Sequence, residues 1–154
     1  MRLASLASWL LILAAAAALT GCGGAPVAPA EQASPSGDAA GVIDWMDDYE
    51  SAVARAQEDG KPLMVDVGAE WCSSCKRLDE TVFARADVAA AAEAFVPVRV
   101  DGDARRDLVA DFDVTGYPTV IFLAPDGDEL GRVRGAVPYQ IMLDEMAKAA
   151  PSAP

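Results

Sequence analysis

Two cysteines three positions apart, Cys72 and Cys75, follow a tryptophan and an apolar run in VDVGAEWCSSCKRL, residues 65–78. That spacing serves three chemistries. A zinc site takes four ligands, commonly Cys or His, and the chain offers two thiolates here and no histidine anywhere. A structural bridge over two intervening residues closes a tiny loop and restricts the unfolded chain little. A redox dithiol needs thiolate character and access to a partner sulfur. A helix starting at the first cysteine, just after a strand, supplies both, because its unpaired N–H groups and dipole stabilise an anion. The residue types therefore favour the redox pair. The missing histidine also excludes Ser-His and Cys-His catalysis and a histidine pH switch.

The elements that must position this pair are legible as changes of period. Residues 44–59 place Trp45, Met46, Tyr49, Val53 and Ala56 near helical spacing, and Gly60-Lys61-Pro62 ends the run. Residues 63–67 form a short, β-branched apolar run that reads as a buried strand. A helix is expected over 73–84, and a second, capped by Asp87, to about 95. A strand follows at 96–101 and a short helix at 103–112. Residues 119–123 and 129–134 read as strands joined by the turn Pro125-Asp126-Gly127-Asp128, and 139–149 as a closing helix. Strands separated by helices predict parallel crossovers, with an antiparallel edge from the final hairpin. The fold class is α/β, a sandwich with a central mixed sheet.

Composition narrows the partners. The 154 residues carry 24 acidic and 12 basic side chains, a net charge of −12. Such a surface repels phosphate backbones and argues against nucleic-acid binding. The third cysteine, Cys22, stands apart. Arg2 precedes the uncharged, mostly apolar run 3–19, which ends in Leu19-Thr20-Gly21-Cys22. The run is short for a membrane span and has the layout of an export signal. Its ending resembles the lipobox of bacterial lipoproteins. That resemblance implies cleavage before Cys22, a lipid on Cys22 and residence outside the cytoplasm, where disulfides persist. In such lipoproteins an Asp after the cysteine holds the protein at the inner membrane, and Gly23 in that position leans towards the outer membrane of a two-membrane cell. Residues 23–41, rich in Gly, Pro, Ala and Ser, read as a disordered tether reaching about 25 Å. The expected division is 1–21 signal, 22–41 lipidated cysteine and tether, 42–150 domain and 151–154 disordered tail.

With Cys22 taken by lipid, Cys72 and Cys75 are the one remaining pair. Val65 to Lys76 then resembles the active-site segment of thioredoxin-like proteins. Gly116-Tyr117-Pro118-Thr119 resembles the family's cis-proline loop, Gly135-Ala136 its small-residue position near the active site, and the element order agrees. The resemblance spans about residues 42–150. The Lys61-Pro62 lead-in and the helix after the dithiol are most similar to the periplasmic C-terminal domain of membrane thiol:disulfide interchange reductases.

The resemblance implies a thioredoxin-like three-layer sandwich and a role for each site residue. Cys72 is the attacking thiolate, which opens a substrate disulfide, and Cys75 the buried resolving thiol. Asp66, six residues before Cys72, is the buried carboxylate under the resolving sulfur, and burial raises its pKa towards use as a proton acceptor. Trp71 covers the dithiol. Pro118 is cis, and with Tyr117 and Gly135 it forms the wall against which an extended substrate pairs.

The intervening Ser73-Ser74 contains neither Pro nor His. With Asp66 and Glu70 nearby, this keeps the Cys72 pKa from falling far, while Lys76 and Arg77 pull the other way. The balance favours a reductant or a moderate-potential carrier over a strong oxidant. The expected function is an extracytoplasmic, lipid-anchored thiol–disulfide oxidoreductase that reduces protein disulfides. No cofactor motif is present, so electrons must come from another dithiol, such as a membrane thiol-electron donor. The alternatives are a non-catalytic binding module for a partner protein or metal and, within enzymes, a disulfide oxidase or isomerase.

Overall fold

The computed structural model describes residues 42–150. The signal, Cys22, the tether and the tail 151–154 lie outside the described residues. Four strands, β1 (Leu63–Gly68), β2 (Val96–Asp101), β3 (Thr119–Leu123) and β4 (Glu129–Arg134), form one sheet in the order β2-β1-β3-β4. The helices are α1 (Tyr49–Asp59), α2 (Ser73–Leu78), α3 (Ala86–Ala92), α4 (Arg106–Asp111) and α5 (Tyr139–Ala149), with a π-helical turn, Asp79–Phe83, directly after α2.

Strand alternation sorts the side chains into two cores, one on each face of the sheet. Leu63, Val65 and Val67 of β1 join Val96, Val98 and Val100 of β2, Ile121 and Leu123 of β3, Ala52 and Ala56 of α1, and Leu108 of α4. On the other face, Met64, Val120, Phe122 and Val133 pack against Leu78, Val82 and Phe83, with Val88 of α3 and Met142 and Met146 of α5. The expected three-layer α/β sandwich is the observed one. The same alternation puts Asp66 and Arg99, which are Cα partners across β1 and β2, on the face that carries α2.

Several expectations need correction. β1 and β2 are parallel as expected, but β3 runs antiparallel to β1. Thr119 pairs with Val67 and Asp101 with Gly68, so the chain leaves β2 and enters β3 at the same end of the sheet. A connection that returns to its starting end must reverse direction. The first helix begins at Tyr49, not at 44, because Asp48 caps it by accepting the Ser51 N–H at 2.8 Å. Met46 lies instead along the β2 edge, its N–H donating to the Pro97 carbonyl at 2.9 Å and its carbonyl accepting the Arg99 N–H at 2.8 Å. The helix expected over 73–84 is divided into α2 and the π turn. Arg85, not Asp87, is the N-cap of α3, and Asp87 sits in the first turn paired to Arg85 at 2.7 Å. The helix expected over 103–112 is confined to Arg106–Asp111.

Candidate active site

The site gathers at the end of the sheet where β1 finishes. Cys72 is the N-cap of α2, and its Sγ accepts the Cys75 N–H at 3.1 Å. Cys72 and Cys75 form a disulfide. Among the described residues no group of three or more His, Cys, Asp or Glu side chains is arranged to hold a metal ion.

Burial of the pair reverses expectation. Cys72 is 3% exposed, whereas Cys75 is half-buried. Cys72 Sγ is held within the first turn of its own helix, 3.4 Å from Ser74 Oγ. Cys75 faces Gly68, where a Cβ would lie 3.2 Å from its Sγ. With no side chain there to cover it, Cys75 opens onto a cleft of about 290 Å³ that Asp66, Glu70, Asp79, Arg99 and Asp101 also line.

Asp66 is the buried carboxyl group of this cleft. Its side chain is 12% exposed, and Oδ1 is buried without a partner. Burial pushes its pKa up to about 7, opposed by the Arg99 charge and reinforced by Asp79. Arg99 Nε lies 3.8 Å from Asp66 Oδ2 and makes no hydrogen bond. The guanidinium is committed elsewhere, paired with Asp79 and stacked 4.7 Å over the Trp45 ring. Burial therefore outweighs the ion pair.

The opposite wall is the Tyr117-Pro118 loop. That peptide bond is cis. Pro118 is buried, and its carbonyl accepts the Gly135 N–H at 2.8 Å, which docks Gly135, at φ +79°, against the loop. Thr119 is buried, and its Oγ1 donates to the Gly116 carbonyl at 2.8 Å. Trp71 stands at the rim, 69% exposed. Its indole N–H donates to Asp103 Oδ2 at 2.7 Å, and its ring centroid lies 6.0 Å from that of Tyr117. The structure thus brings Cys72, Cys75, Asp66, Trp71, Tyr117, Pro118 and Gly135 to one end of the sheet. Lys76 and Arg77 point to solvent.

Sequence reasoning missed Arg99, Asp79, Asp103, Gly102 and the contacts of Ser74. Arg99 carried a faint signal, as a charge alternating with Val98 and Val100. Gly102 is buried, and a Cβ there would sit 2.1 Å from the Tyr117 hydroxyl. Gly102→Ala is accordingly expected to displace Tyr117 and to destabilise the domain by about 1–3 kcal/mol, as overpacking does, read as a lowered urea midpoint at unchanged slope.

A mixed four-stranded sheet between two helical layers, with a Cys-x-x-Cys disulfide at a helix start and a cis-proline loop at the same sheet end, defines a thiol–disulfide oxidoreductase site on a thioredoxin fold. The profile of the thioredoxin-like family matches residues 44–125, and the chain belongs to that family. It is 33% identical over 107 residues to the thiol:disulfide interchange protein DsbD 1 of Pseudomonas aeruginosa, covering 66% of this chain and 18% of that protein. It thus spans less than a fifth of that relative's length. A thioredoxin from Thermus thermophilus matches with a TM-score of 0.63 and 31% identity over 70% of this chain and 86% of that one. The C-terminal domain of Neisseria meningitidis DsbD in the reduced form shares the fold, with a TM-score of 0.59 and 20% identity over 65% of this chain and 92% of that one.

Proposed function

We propose that the protein is a lipid-anchored reductase of protein disulfides outside the cytoplasm, recharged by a membrane dithiol. The observation that carries this reading is the dithiol at the start of α2 beside a cleft holding a buried carboxyl group that titrates at about 7.

The steps follow from the groups present. Cys72, as thiolate, attacks one sulfur of a client disulfide, and the other client sulfur departs with the electron pair and takes a proton from water. A mixed disulfide now joins Cys72 to the client. Cys75 passes its proton through the cleft to Asp66 and attacks Cys72 Sγ. The Cys72–Cys75 bond forms, and the second client sulfur leaves with the electron pair and takes up the proton held by Asp66, leaving as a thiol. Two electrons have moved to the client. A donor dithiol reverses the sequence and becomes a disulfide itself. Thiolate character belongs to Cys72 because its sulfur accepts the Cys75 N–H, while Cys75 opens onto the cleft that holds Asp66. Trp71, Tyr117, Pro118 and Gly135 form the surface for an extended client segment, and the lipid on Cys22 keeps the domain near its donor.

The reductive direction rests on the absence of His between the cysteines, on the acids Asp66 and Glu70 beside them, and on Lys76 and Arg77 facing away. Equilibration with glutathione buffers is expected to give a potential of about −200 to −270 mV. A value near −120 mV, the strong-oxidant end, overturns the direction.

A further inference from the structure

We infer that the Ser74 hydroxyl is a redox-coupled donor: it caps the Tyr117 carbonyl while the disulfide is closed, and turns to Cys72 when that sulfur is a thiolate. The freed carbonyl then accepts a backbone N–H from an extended client segment. The inference rests on the exchange function proposed above and adds to it a positioning residue and a difference in client binding between the two redox states.

Ser74 Oγ lies 3.3 Å from the Tyr117 carbonyl oxygen and 3.4 Å from Cys72 Sγ. In the disulfide neither neighbour carries a proton, so two acceptors share one hydroxyl proton. The 3.3 Å separation from the carbonyl is long for an O–H···O bond, and sulfur is a weak acceptor, so neither holds the proton firmly. The carbonyls on either side of Tyr117 are engaged within the fold, Gly116 by Thr119 Oγ1 and Pro118 by the Gly135 N–H. Among the described residues, Ser74 is the sole hydrogen-bond partner of the Tyr117 carbonyl.

Reduction changes one of the two acceptors. A donor dithiol loses two electrons and two protons as it closes its own disulfide. Both electrons enter the Cys72–Cys75 bond, one proton stays on Cys75, and the other goes to water. Cys72 Sγ then carries a full negative charge, and a charged acceptor draws the hydroxyl more strongly than an amide carbonyl does. Reduction of the client reverses the exchange: the Cys72–Cys75 disulfide closes, the hydroxyl returns to Tyr117, and the carbonyl is covered as product leaves. The charged groups around the pair, Asp66, Glu70, Lys76, Arg77, Asp79 and Asp103, are untouched by substitution at Ser74.

Two measurements on the reduced protein test this. The first titrates the Cys72 thiolate by its absorbance near 240 nm in wild type, Ser74→Ala and Ser74→Thr. Loss of a hydrogen bond to a charged group predicts a Cys72 pKa higher by about one unit in Ser74→Ala, a tenfold smaller thiolate fraction, with recovery in Ser74→Thr. The second reads the Tyr117 carbonyl directly. Tyr117 is the one tyrosine followed by proline, so carbonyl-13C tyrosine combined with 15N proline isolates its carbonyl resonance by one-bond coupling. That resonance is expected to move upfield on reduction in wild type and to stay fixed in Ser74→Ala. An unchanged Cys72 pKa in Ser74→Ala, or a wild-type carbonyl resonance indifferent to redox state, overturns the inference. Either outcome leaves thiol exchange through Cys72 intact, so it is distinct from failure of the proposed function.

Discussion

Cys75→Ala is expected to turn the protein into a trap. Without the resolving thiol, Cys72 still attacks a client disulfide, but the mixed disulfide has no internal route to release. Turnover of a protein disulfide should fall by about a thousandfold, the scale of losing a covalent-catalysis partner. Client should accumulate on the domain as a complex that dithiothreitol dissolves. Cys72→Ala should do the opposite and trap nothing. The asymmetry follows from the two environments. Cys72 Sγ already accepts an N–H at 3.1 Å inside the helix start, whereas Cys75 opens onto the cleft that holds the proton acceptor. Equal trapping by both variants on non-reducing gels contradicts this division of roles.

Asp66→Asn is expected to stabilise the domain and slow its chemistry. The carboxyl titrates at about 7 in the fold against an ordinary value of 3.8, because burial disfavours its charge. Between those values the folded state holds a proton that the unfolded chain has released. Stability therefore falls as pH rises from about 4 to 7 and levels off above. The full penalty is about 4 kcal/mol at pH 8, because each tenfold change in proton affinity is worth about 1.4 kcal/mol. Asparagine removes it, so the advantage of Asp66→Asn should grow by about 2–3 kcal/mol from pH 5 to pH 8. The same variant loses the acceptor for the Cys75 proton, which predicts release of mixed disulfides about 10²-fold slower at pH 7. Denaturation at the two pH values and single-turnover release separate the effects. A stability difference that does not vary with pH contradicts the assignment of the titrating group.

The gross architecture was legible because each strand carries its own boundary and period. Leu63 to Val67, Val96 to Asp101 and Thr119 to Leu123 are short β-branched runs between turn residues, and all three are strands. Asp66 was legible for the same reason: a charge between Val65 and Val67 must face some interior. What covers it was not. Arg99 comes from a strand 33 positions away, and its commitment to Asp79 and Trp45 depends on register and on the π turn. The start of α1 was missed because Trp45 and Met46 fit a helical period, whereas the Asp48 cap sets the first turn at Tyr49. The relative burial of Cys72 and Cys75 was reversed because a side chain missing at Gly68 opens the Cys75 side. Ser74 was read only as an absent proline, since a hydroxyl shared between a sulfur and a carbonyl exists only once helix and loop have met.

The central claim is catalysis of disulfide reduction by Cys72 with Cys75, as against binding alone. The most direct test is multiple-turnover reduction of insulin disulfides at pH 7 under limiting dithiothreitol, with wild type and Cys72→Ser compared. The wild-type domain is predicted to reduce many equivalents of insulin per molecule, and Cys72→Ser to fall to the rate of dithiothreitol alone. A wild-type rate no faster than that background, from a domain that folds and holds its disulfide, contradicts the claim.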